Sequence, residues 1–244
     1  MSPYKPDIQE RKDLVLGIVV NQYIQSVTPV GSSLIAQGHH LELSSATIRS
    51  ILAELEEEGL LMHPHTSAGR VPTERGYRYY VDYLMHQIQL LEEEKRKIHK
   101  EYQRGVNELE ILLDKTSQIV SDVTRYTSII SVDGRRDKVY CKGTSYVVSY
   151  PDLQDLEKIR HILKALEEKE QILQIINRDL EKKIEIYIGH EMACTEMDNC
   201  SIAVARYKKK NGTSGRIAVL GPTRMDYERV VSALEFVTDL VNAS

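Results

Sequence analysis

The sequence predicts an α+β chain: an N-terminal winged helix-turn-helix over residues 1–85, followed by a mixed α/β domain over residues 105–244. Three observations predict it. Short amphipathic helices separated by proline and glycine breaks fill the first third of the chain. Two short apolar stretches around a polar, glycine-containing loop follow them, which reads as a small hairpin. The last third alternates strand-like and helical segments and carries Asn211-Gly212, a strong hairpin-turn signal. At 244 residues the chain is long enough for each domain to bury its own core.

The elements follow in order. Residues 8–26 place Leu14, Leu16, Ile18, Val19, Tyr23 and Ile24 at helical spacing, and Thr28-Pro29-Val30-Gly31 breaks that helix. Ser32 or Ser33 is positioned to cap a short second helix, which Gly38 ends. Ser44 opens a third helix, with Ile48, Ile51, Leu52 and Leu55 as its apolar stripe and Gly59 as its stop. Two short helices joined by a brief turn, the second starting with small polar residues, is the order of a helix-turn-helix. Leu60-Leu61-Met62-His63 and Val71-Pro72 then bracket the loop, forming a wing. Thr73 caps a long helix through TERGYRYYVDYLMHQ.

Residues 86–104 read as a linker helix. Tyr77, Leu84, Leu91 and Ile98 recur every seven residues, as do Val81, Ile88, Lys95 and Tyr102. This is an a/d stripe broken at Lys95, so Val81, Leu84, Ile88, Leu91 and Ile98 are candidate dimer contacts across a coiled coil. Two separate helices, each packing within its own chain, is the competing reading. Beyond it, a helix is predicted over residues 106–123, a buried strand at TSIISV, one or two strands in KVYCKGTSYVV and a helix over residues 152–177. A strand in LEKKIEIYIGHE, a hairpin from SIAVARY to RIAVLG and a final helix over residues 226–241 complete the chain.

Composition excludes several function classes. No apolar run is long enough to span a bilayer, and the first residues lack a secretory leader, which points to the cytoplasm. Cys141, Cys194 and Cys200 show no Cys-x-x-Cys spacing and read as reduced thiols, with no metal or cofactor implied. No nucleophile is flanked by a plausible base, so the chain is not expected to be an enzyme. The histidines read as surface or packing residues, YRYY as a core face, and Lys208, Lys209 and Lys210 as a solvated hairpin tip. The formal net charge of -4 opposes a nucleic-acid partner, but net charge is a poor guide when charge is segregated. Glu54, Glu56, Glu57 and Glu58 crowd the end of one helix, whereas Arg49, Arg70, Arg75 and Arg78 sit where a DNA-facing surface needs cations.

Several segments resemble a known family. SVTPVGSSLIA, LELSSATIRSILAELEEEGLL and above all PHTSAGRVPTERGYRYYVDYL are similar to the heat-inducible transcription repressor HrcA family. So are KGTSYVVSYPDLQDLEKIRHILKALEEKEQIL, IGHEM and GRIAVLGPTRMDYERVVSALEFV. The resemblance implies a dimeric repressor of an inverted-repeat operator, the CIRCE element, upstream of chaperone operons, modulated by the GroE chaperonin. It also implies that the second domain is a reduced GAF-like fold. The family's usual members are longer. Here Val132 runs through DGRRDK straight into VYCKGTSYVVSYPD, and the middle of the GAF-like domain with its inserted dimerisation domain is missing.

The expected DNA-binding set is Ser44, Ser45, Thr47, Arg49 and Ser50 on the recognition helix. His65, Thr66, Ser67, Gly69, Arg70 and Thr73 join it from the wing, and Arg75 and Arg78 from the helix after it. Ser45, Thr47 and Arg49 are expected at base edges, and Arg70, Arg75 and Arg78 at phosphates. The rival is a ligand- or protein-sensing module whose winged helix mediates protein contacts.

Overall fold

The computed structural model describes residues 7–38, 43–64, 69–86, 90–103, 109–150 and 155–243. The chain divides into two units, Met1–His86 and Gln87–Ser244.

In the first unit, Asp7 accepts from the backbone N–H of Glu10 while the Glu10 carboxylate accepts from that of Asp7. This reciprocal cap starts α1 (Ile8–Ser26). The helix buries Val15, Leu16, Ile18, Val19 and Val20 and leaves Leu14 exposed, so its core face is turned from the predicted stripe. α2 (Ser32–Gly38) begins at Ser32 itself, with Gly31 O accepting from Leu34 and Ile35. The two serines therefore lie in its first turn rather than before it. α3 (Ser45–Glu57) has Ser44 as its cap and ends where Gly59 takes φ +72°.

β1 (Leu61–Met62) and β2 (Val71–Pro72) pair antiparallel, and Arg70 exchanges two backbone hydrogen bonds with Val30, each 2.9 Å. Gly69 and Gly76 are sterically required. A Cβ on Gly69 would fall 2.6 Å from the Pro29 carbonyl carbon, and one on Gly76 2.1 Å from Leu60 O. α4 (Glu74–Tyr79) starts at Thr73, passes into one π-helical stretch, Tyr80–Leu84, and stops there.

That stop corrects the predicted continuous heptad helix. Met85 turns extended (ψ 125°) with its N–H on Tyr80 O, and the next helix among the described residues is α5 (Glu92–Gln103). Tyr77 and Tyr80 are buried within the first unit, and Ile98 is buried within the second. Ile98 is therefore unavailable to a twin helix. Val81 and Leu84 are half-buried, Leu91 is 69% exposed, and Ile88 lies outside the described residues.

The second unit contains a five-stranded antiparallel sheet in the order β4-β3-β7-β6-β5. Its strands are β3 (Thr127–Val132), β4 (Arg135–Lys142), β5 (Ile184–Ile188), β6 (Cys200–Lys208) and β7 (Ser214–Pro222). α6 (Leu109–Thr124) and α9 (Tyr227–Ala243) cover one face, where Ser201 hydrogen-bonds Tyr227 and Ser117 donates to Ser128 O. α7 (Leu156–Glu168) and α8 (Glu170–Ile176) cover the other, packing Ile162, Leu166, Ile172 and Ile176 onto Ile129, Ile202, Val204, Ala218 and Leu220. With helices on both faces, β3 is buried at all six positions and reads as a continuous apolar and small-polar run.

Two expectations change here. The predicted helix over 152–177 is two helices meeting at Lys169, whose φ of +60° lets both bury apolar residues in one core. Thr144–Ser149 is a 3-10 turn rather than a strand, and it drops Val147 into that core. β3 and β4 are joined by the tight turn Asp133-Gly134, at the point where the resemblance places the missing segment. No helix among the described residues is long and apolar enough to cross a membrane.

Candidate nucleic-acid interface

The third helix is two-faced for a simple reason. Ile48, Ile51, Leu52 and Leu55 recur at helical spacing and are buried. The positions opposite them, Ala46, Arg49, Ser50 and Ala53, recur at the same spacing and are exposed. The outer stripe thus presents two methyls and a hydroxyl around one guanidinium. Small groups let a helix backbone approach a groove floor, and an arginine can reach a base edge from there.

The start of that helix is built by Ser44 and Thr47. Ser44 Oγ accepts from the Thr47 N–H at 3.1 Å, and the two hydroxyls lie 2.9 Å apart. Ser45 is turned elsewhere: its hydroxyl donates to Ser32 Oγ at 3.3 Å, joining α3 to α2. Ser45, expected at a base edge, thus makes a helix-to-helix contact in this structure. Thr73 is also internal. It accepts from the Gly76 N–H and donates to Gly59 O at 2.7 Å, so it fixes α4 to the end of α3. His65, Thr66 and Ser67 lie outside the described residues, and Gly69 is buried at the Val30–Arg70 pairing.

The arginines divide into two kinds. Arg70 Nε is 2.7 Å from Glu56 Oε2, and Arg78 Nη1 is 3.5 Å from Asp82 Oδ1. Arg49 and Arg75 are exposed and have no ion-pair partner among the described residues. Arg75 lies alongside the end of α3, its Nη1 3.7 Å from where a Gly59 Cβ would stand. The acidic cluster is half neutralised from within, by two cations against four carboxylates. Lys12 reaches Glu58 at 2.7 Å and Glu54 at 2.9 Å, and those two carboxylates hold its pKa above the ordinary lysine value. Glu56 has Arg70. Only Glu57 of the four lacks an ion pair among the described residues.

Sequence reasoning missed Ala46, Ala53 and Lys12. The alanines were detectable as the complement of the apolar stripe. Lys12 was not, because its partners lie more than forty residues away and nothing local marks the contact.

The tyrosines of YRYY serve packing. Tyr79 donates to Asp13 at 2.9 Å and accepts from Gln9, and Tyr80 donates to Asn21 at 2.9 Å, which clamps α4 and the π-helical turn onto α1. Among the described residues no group of three His, Cys, Asp or Glu could hold a metal ion.

The profile of the HrcA protein C-terminal domain matches residues 131–231. Over nearly the whole chain, the sequence is 29% identical to the heat-inducible transcription repressor HrcA of Carboxydothermus hydrogenoformans, covering 95% of this chain and 96% of that protein. It is 28% identical to the repressor of the same name from Pelotomaculum thermopropionicum, with 95% of each covered. The chain is similar to HrcA repressors over nearly its whole length. It is shorter than those relatives: 95% of 244 residues is about 232, so roughly a hundred of the 329 positions aligned with the first relative fall in gaps of this chain. A crystal structure described only as that of a hypothetical protein shares the fold, with a TM-score of 0.77 at 18% identity, covering 97% of this chain and 98% of that one.

Proposed function

We propose that the chain is a transcription repressor that binds operator DNA as a homodimer through its first unit, which has the element order of a winged helix-turn-helix. α2 and α3 are the helix-turn-helix, β1 and β2 with the Val30–Arg70 pairing are the base of the wing, and α4 closes the domain. The second unit is a reduced GAF-like domain, and regulation is its role. The observation that carries this reading is the outer stripe of α3. Arg49 stands without an ion pair among Ala46, Ser50 and Ala53, while Lys12 and Arg70 offset two of the four nearby negative charges.

In this reading Arg49 and Ser50 meet base edges. Arg75 meets a phosphate, and Arg78 can do so at the cost of its Asp82 contact. Ser44, Thr47, Ser45 and Thr73 position the helix rather than read the duplex. Val81, Leu84 and Leu91 remain the surface candidates for a dimer contact. HrcA relatives are named heat-inducible transcription repressors, so heat-inducible genes are the expected targets, and the family resemblance implies chaperone operons among them.

A gel-shift titration against an inverted-repeat duplex and a scrambled duplex, across a salt series, tests the proposal. A repressor prefers its operator by at least about a thousandfold and loses affinity steeply with salt. Equal, salt-insensitive binding to both duplexes would favour a protein-contacting module instead. Sedimentation of Leu84→Glu with Leu91→Glu tests whether those side chains join two copies.

A further inference from the structure

Arg206 and Arg216 are direct cross-strand partners on β6 and β7. Alternation places both on the face that carries Ile202, Val204, Ala218 and Leu220 into the core under α7 and α8. Like charges directly opposite one another on a sheet repel, and this pair stands where the sheet meets the end of α8. Arg216 is 4% exposed. Its Nη1 has Gly215 O at 3.4 Å and an Asp133 oxygen at 3.7 Å, and its Nε is buried with no acceptor.

These groups line a recess of about 520 Å³, together with Arg135, Gly134, Val132, Leu173 and Asn177. Three guanidinium groups thus face one carboxylate. That carboxylate is already engaged, since Asp133 accepts from Ser214 Oγ at 2.7 Å. Burying a guanidinium with an unsatisfied N–H beside a second cation is costly unless an anion completes the arrangement. Burial, then the Arg206 charge, push Arg216 below the usual guanidinium range, with Asp133 and Asp179 opposing them.

We propose that this recess binds a small organic phosphate, with Arg216 as its buried anchor and Arg206 and Arg135 as outer clamps. A bare phosphate would leave most of the space empty, whereas the volume lies within the range of ordinary small-molecule sites. Leu173 and Asn177 supply an apolar and an amide surface for the organic part, and arginine forks match phosphate oxygens in pairs. The recess is lined in part by the Asp133-Gly134 turn, which is short in this chain where the resemblance places a long segment in other members. The site stands on this geometry alone and does not depend on the DNA-binding reading.

Isothermal titration and thermal melting of the full chain with inorganic phosphate, pyrophosphate, ADP and a sugar bisphosphate test it. Saturable binding of at least one organic phosphate, tighter than inorganic phosphate, is expected, with the preferred compound identifying nucleotide or sugar as the source. Arg206→Gln and Arg135→Gln are surface changes that keep the fold and should each weaken binding about tenfold, the loss of one charge-assisted hydrogen bond. Arg49→Ala with Arg75→Ala should leave it unchanged. Three results overturn the proposal: no binding at millimolar concentrations, binding indifferent to Arg206→Gln and Arg135→Gln, or binding abolished by the Arg49 and Arg75 changes.

Discussion

Arg70 Nε lies 2.7 Å from Glu56 Oε2, so the residue that closes the hairpin is tied by charge to the helix that carries Arg49. The pair holds the β1–β2 hairpin and α3 in fixed relation, and in the proposed reading it occupies an arginine that would otherwise be free for a phosphate. Because both side chains are partly exposed, Arg70→Ala should cost about 0.2–1 kcal/mol in urea unfolding. It should leave the salt slope of operator binding unchanged, whereas Arg75→Ala should lower that slope by about one. A reduced slope for Arg70→Ala would mean that the pair opens on DNA.

Arg49→Ala should weaken operator binding by about 1–3 kcal/mol and change scrambled-duplex binding little, because base-edge contacts discriminate and phosphate contacts do not. Competition gel shifts with both duplexes measure the two effects side by side. Equal losses on both would move Arg49 from base reading to backbone contact.

Gly76→Ala places a methyl group 2.1 Å from Leu60 O, and Gly69→Ala places one 2.6 Å from a Pro29 carbonyl carbon. Backbone cannot step aside as a flexible side chain can. Each change should destabilise the first unit by about 1–3 kcal/mol or more, seen as a lower thermal midpoint. Gly17→Ala has open space around its Cβ and is the control expected to leave the midpoint unchanged or higher.

The three thiols should be inert in the native protein. Burial pushes Cys141 and Cys194 up to about 11 and Cys200 to about 12. At pH 8 a thiol with a pKa near 11 is about one part in a thousand thiolate, so a disulfide reagent should react fast only after denaturation. Folding raises these values above the ordinary 9.0, so the associated stability is intact below pH 9 and is lost as pH rises through the folded values. One fast native thiol at pH 8 would contradict the burial.

A flexible glycine-serine insertion between Asp133 and Gly134 should be tolerated, since loop-closure cost grows only slowly with length and the turn lies at a strand end. Retained far-ultraviolet circular dichroism and a thermal midpoint within a few degrees are expected. Collapse of the fold would show that the tight turn is itself required for the β3–β4 pairing.

Local rules made much of the fold readable. Ser44 and Thr73 cap the helices assigned to them, Gly59 ends α3 in a left-handed turn, and Leu61–Met62 pairs antiparallel with Val71–Pro72 as expected. Each depends on hydrogen bonds or periodicity within a few residues, which the linear order contains. The heptad stripe misled because spacing alone does not guarantee a continuous helix. Tyr77 and Ile98 are drawn into cores instead, and the backbone turns extended at Met85.

The amino-acid order alone therefore specified the helices, their caps, the hairpin and the family motif. Tertiary structure decided which charges are free. Lys12 bridges Glu54 and Glu58, Arg70 takes Glu56, Ser45 turns to Ser32, and Arg206 meets Arg216 across two strands. The physical reason is range. A cap or an apolar stripe is set by neighbours a turn or two away, whereas an ion pair forms only after folding brings distant residues to within a few ångströms, and the net charge of an exposed face is whatever those pairings leave over.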